Sequence, residues 1–128
     1  MTLAYWCVLI ALFLPYVATV VTKALSGGFA PRHNHHPRAF LATLEGRAAR
    51  ANSAQLNGFE TSPALAVAVI IAHLAGGAAQ STLDALAVAF IVSRVLYLIC
   101  YVADWAPLRS LVWFVGMGLI VSLFVVAA

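Results

Sequence analysis

Four apolar runs, each long enough to cross a hydrocarbon layer of ~30 Å, decide what this chain can fold into. They cover about residues 3–25, 44–75, 83–104 and 108–127 of a 128-residue sequence, so no length remains for a water-soluble domain. Composition agrees. With 64% hydrophobic and 9% charged residues and a mean hydropathy of +1.00, the chain could not clothe a soluble fold in polar surface. The expectation is an all-α membrane protein, residues 1–128 forming a single transmembrane domain as a four-transmembrane-helix bundle with the lipid bilayer as its solvent.

The first run carries no charge before Lys23 and has no basic segment ahead of it, which separates it from a cleaved signal peptide. Pro15 falls inside it. The second run is the odd one, because only Ala64 to Ala75 is strongly apolar, so the helix must start earlier and take in Asn57, Glu60 and Pro63. Gly116 and Gly118 give the fourth run a small surface where a neighbouring helix can approach closely.

Basic residues set the orientation. Lys23, Arg32, Arg38, Arg47 and Arg50 lie between the first two runs, the loop Gly76–Thr82 has none, and Arg109 borders the third loop. The positive-inside rule therefore puts the first and third loops in the cytoplasm and both termini on the opposite side. The same bias explains the net charge of +3, and no basic, aromatic surface outside the membrane points to nucleic acid. His33, His35 and His36 lie in the first loop without an acidic or thiol neighbour; a solvated loop is the expectation and no metal site is assigned. Cys7 and Cys100 fall on different spans at opposite depths, too far apart for a disulfide.

Ionisable side chains at membrane depth are costly and usually face protein or a water-filled cavity. On the second helix, Arg50, Asn57 and Glu60 share one face at 100° per residue; on the third, Arg94, Tyr97 and Tyr101 do the same. Antiparallel packing brings the stripes together. The economical reading is an inter-helix pair of Glu60 with Arg94, helped by Asn57. That leaves a surplus: two tyrosine hydroxyls, Arg50 and Arg109 converge at the same end, as a pocket for a small, multiply charged ligand requires.

The segment Gly46–Pro63 reads Arg50, then Ala54, Gln55, Asn57, Glu60 and Pro63, and resembles the signature of the MAPEG family, the membrane-associated proteins in eicosanoid and glutathione metabolism. A second block, Arg94, Tyr97, Tyr101 and then Leu108-Arg109, is similar to the family's third helix and the turn after it. The resemblance implies a homotrimer binding glutathione between protomers at the cytoplasmic side. It carries glutathione as co-substrate onto Arg50, Gln55, Asn57, Glu60, Arg94, Tyr97 and Tyr101. It gives Arg109 the catalytic role of stabilising the thiolate, with an apolar electrophile entering from the bilayer. A fixed cation beside the sulfur of a thiol of pKa ~8.5 populates the nucleophile at neutral pH.

Three positions depart from the better-known members. Ser53 stands where a second arginine precedes the asparagine, Thr61 where a tyrosine follows the glutamate, and Tyr101 to Arg109 is one residue longer. The pattern is similar to the small bacterial branch, implying the bacterial inner membrane. Two functions are therefore expected to compete: a glutathione transferase or peroxidase, and a non-catalytic scaffold or accessory subunit that keeps the same fold.

Overall fold

The computed structural model describes residues 1–128. Its helices are α1 Leu3–Leu25, α2 Pro37–Ala42, α3 Gly46–Ala75, α4 Gln80–Val102 and α5 Ala106–Ala127, with a 3-10 turn at Pro31–His35. Four of them, all but α2, are long and apolar enough to cross a membrane. The protein is thus an all-helical bundle of four candidate spans.

At 1.5 Å per residue the 30-residue α3 is about 45 Å long, well beyond a ~30 Å hydrocarbon core. Its first turns therefore stand at headgroup level, which is how a helix with only a short strongly apolar part can still span. α4 begins at Gln80 rather than Leu83, and α5 at Ala106 rather than Leu108, since Pro107 in the first turn lacks only an N–H that has no helical partner there.

Small residues set the spacing between helices. Ala4, Cys7, Ala11 and Ala18 are buried along one face of α1, and Ala51, Ala54, Ala68 and Ala72 along α3. Larger side chains, Leu65, Phe90 and Leu123, fill the interior. Only 25 of 128 residues are buried, and the outside is lined with leucine, valine and phenylalanine, a surface suited to lipid rather than water.

α1 runs through Pro15 because α3 repairs the damage. Proline has no N–H to give the Ala11 carbonyl; the Ser62 hydroxyl donates to that carbonyl at 2.6 Å instead. Gly58 completes the fit, since a Cβ there would lie 2.9 Å from Pro15 Cγ. At the start of α1, Asp84 of α4 accepts the Ala4 N–H at 2.8 Å and so caps the first turn.

The first loop is solvated as expected, with Arg32, His35 and His36 exposed, and it carries a small cluster of its own. Phe29, His33 and Phe40 cluster, with His33 stacked on Phe40 at 4.2 Å, and His33 Nδ1 accepts the Ala30 N–H at 2.9 Å. This closes the 3-10 turn and leads into α2. Cys7 and Cys100 are both free and buried.

Candidate functional site

α4 carries the centre of the site. Arg94, Tyr97 and Tyr101 repeat at three and four residues and so project from one face. The Tyr97 and Tyr101 rings meet edge to face at 5.5 Å. The Arg94 guanidinium lies 4.7 Å from the Tyr97 ring centre, and Arg109, from the first turn of α5, lies 4.4 Å from that of Tyr101. Cations over ring faces are drawn to the negative face of the π-system. Beside the two tyrosines and Arg109 opens a cleft of about 240 Å³, lined by Tyr97, Tyr101, Arg109, Ser110, Trp113 and Phe114.

Arg94 is the buried charge of the molecule, 5% exposed. Its Nη1 donates to Asn57 Oδ1 at 3.2 Å, linking α4 to α3. Its Nη2 is buried without a hydrogen-bond partner. Gly116 of α5 is what makes room, since a Cβ there would lie 2.7 Å from Nη2 and 3.2 Å from Ser93 Oγ. The small surface expected on the fourth helix is therefore half used: Gly116 receives a side chain rather than a helix backbone, while a Cβ on Gly118 would meet nothing within 4 Å.

The direct Glu60–Arg94 pair does not form. Asn57 Nδ2 donates to Glu60 Oε2 at 3.4 Å, so the carboxylate reaches Arg94 only through the amide. The antiparallel register explains this: setting Asn57 opposite Arg94 puts Glu60 about a turn farther along, where it is exposed.

Arg50 stands apart from the cleft. Its Nε and Nη2 donate to the Val102 carbonyl at 3.3 and 3.2 Å, and Nη1 lies 4.0 Å from Asp104 Oδ2, the one ion pair in the chain. It thereby caps the C-terminus of α4. Gln55, two residues from Asn57, faces about 200° away from it around α3, and its Oε1 is buried without a partner. Ser53 donates to its own helix, to the Ala49 carbonyl at 3.1 Å.

The structure thus gathers Arg94, Tyr97, Tyr101 and Arg109, joins Asn57 and Glu60 to them by a relay, and sets Arg50 and Gln55 elsewhere. Ser110, Trp113 and Phe114 complete the cleft and were missed in the sequence. The signal was there, because Trp113 follows Arg109 by four residues, yet a tryptophan near a helix end reads equally as a belt residue facing lipid. A second, smaller cavity of about 20 Å³ lies behind Tyr97, among Pro15, Ala54, Gly58, Ser62 and Arg94, with room for one water.

Fold and site together define a membrane protein of four helical spans with an arginine–tyrosine cleft at one end of α4 and α5. The chain belongs to the MAPEG family, whose model matches residues 3–128. It is accordingly a membrane protein of the glutathione and eicosanoid metabolism family. No curated protein and no solved structure matches it.

Proposed function

We propose that the protein binds glutathione and uses it as a transferase or peroxidase acting on an apolar electrophile from the bilayer. The carrying observation is the cleft in which Arg109 stands over Tyr101 beside Tyr97. A guanidinium there is placed to hold a thiolate, and the tyrosine hydroxyls to meet peptide groups. Trp113 and Phe114 supply the apolar wall that an electrophile needs.

At about 240 Å³ the cleft is small for a tripeptide. In this reading glutathione also takes the exposed Glu60 carboxylate for its ammonium group and Asn57 along its length, with a neighbouring protomer of a homotrimer completing the site; Gln55, turned away from Asn57 with its Oε1 buried, makes no contact with it in the same protomer. Arg94 acts by positioning Asn57 and Tyr97. Arg50, held on Val102, contributes through the end of α4 rather than by contact. On the same reading the first and third loops face the cytoplasm, as the positive-inside rule directs, and the membrane is a bacterial inner membrane, as the likeness to the bacterial branch suggests.

The test is the melting temperature of the purified protein in millimolar glutathione. A ligand that binds only the folded state raises it by mass action, and Glu60→Ala should remove the rise. No rise at millimolar glutathione would defeat the proposal.

A second reading, a non-catalytic scaffold or accessory subunit, draws on Arg50 and Ser53 being satisfied within the protomer. The Asn57–Arg94 bond then serves only to hold helices. Under it Arg94→Leu disperses the oligomer in detergent, and glutathione never shifts the melting temperature.

A further inference from the structure

A groove unrelated to the arginine–tyrosine cleft lies where α1 ends, α3 begins and α4 ends. It holds about 370 Å³ and is lined by Val21, Leu98, Ile99, Val102 and Ala103, with Arg47 as its one charged residue. All six lie within about two turns of a helix terminus, so the groove opens at headgroup level. Arg47 is exposed and makes no hydrogen bond or ion pair, in contrast to Arg50, which is spent on Val102 and Asp104.

We propose that this groove binds an anionic phospholipid, the headgroup phosphate on the Arg47 guanidinium and the first methylenes of one acyl chain along Leu98, Ile99 and Val102. Charge selects the occupant. Lys23, Arg32 and Arg38 stand at the same end, and this excess of positive charge favours an anionic headgroup over one that carries its own ammonium.

A second copy of the chain is a poorer fit. The protein has four acidic residues; Asp84 caps α1, Asp104 is paired with Arg50 and Glu60 is held by Asn57. Only Glu45 is left to bring negative charge to the rim. A lipid brings phosphate and chain together, matching a cation set directly above apolar side chains. The site is independent of glutathione.

The experiment is native mass spectrometry of the full chain released from detergent with dioleoylphosphatidylglycerol or dioleoylphosphatidylcholine. Phosphatidylglycerol should be retained in preference. Arg47→Ala should weaken its retention about fivefold, the weight of one interfacial cation, and Ala103→Leu, which fills the groove without touching a charge, should weaken it too. Arg38→Ala, outside the groove, should leave most of it.

Equal retention of the two lipids would overturn the proposal, as would an Arg38→Ala loss as large as that of Arg47→Ala, which marks diffuse attraction. Displacement by inorganic phosphate alone would reveal a free-anion site, and a change of oligomer mass on Arg47→Ala an interface between copies; either result defeats it.

Discussion

Arg94 brings a charge into the bundle through two neighbours that differ in kind. Asn57 supplies an acceptor, and Gly116 supplies absence, a place where no Cβ stands. Gly116→Ala must push the guanidinium aside or open the α4–α5 contact, and overpacking of this kind costs about 1–3 kcal/mol. Gly118→Ala, two residues on and facing open space, should be stabilised by about 0.5–1 kcal/mol through helix propensity. Denaturant titration of the two variants in the same detergent separates them. A Gly116→Ala protein as stable as Gly118→Ala would mean that Arg94 is not held where it is described. The same residue shows the limit of motif reading. Arg94, Tyr97 and Tyr101 were legible as one face because their spacing alone fixes it, whereas the choice of Asn57 over Glu60 depends on how far α3 is slid along α4.

Two devices at the level of helices are equally specific. Where α1 meets α3, Pro15 removes a donor and Ser62 replaces it at the Ala11 carbonyl. Ser62→Ala leaves that carbonyl unpaired at membrane depth, costing about 1–3 kcal/mol. In a Pro15→Ala background the restored N–H can serve Ala11, so most of the cost of Ser62→Ala should vanish. A double-mutant cycle measures the coupling, and additivity of the two changes would rule the repair out.

Where α4 ends, Asp104 takes the left-handed conformation, φ 64. Its N–H donates to the Tyr101 carbonyl at 3.2 Å, and that of Trp105 to Cys100 at 2.9 Å, the paired bonds of a Schellman motif. Arg50 closes the remaining Val102 carbonyl. Asp104→Val should destabilise by more than about 1 kcal/mol, because a β-branched side chain resists positive φ. Asp104→Asn keeps the conformation and loses only a half-exposed ion pair, so it should fall within about 1 kcal/mol of the parent. Thermal unfolding of the two ranks them. The basic position 50 was legible in the sequence; its use as a cap was not, since no local pattern tells an arginine which carbonyl it will find.

For the whole molecule, the proposed orientation makes a prediction of its own. Arg38→Cys in the first loop and Ala79→Cys in the second should react oppositely with a membrane-impermeant maleimide applied to intact cells: Ala79→Cys is labelled and Arg38→Cys is protected until lysis. Both positions are exposed and the native Cys7 and Cys100 are buried, so the signal comes from the introduced thiol. The reverse pattern would invert the bundle. Four spans and the family followed from the sequence because each is local: transfer free energies sum residue by residue along a run, and a motif on one helix keeps its spacing wherever that helix packs. What only the tertiary structure decided is which groups meet. The relay Arg94–Asn57–Glu60, the capping role of Arg50 and the entry of Ser110, Trp113 and Phe114 into the cleft all turn on helix rotation and register, where a shift of one residue swings a side chain by about 100° and changes its partner.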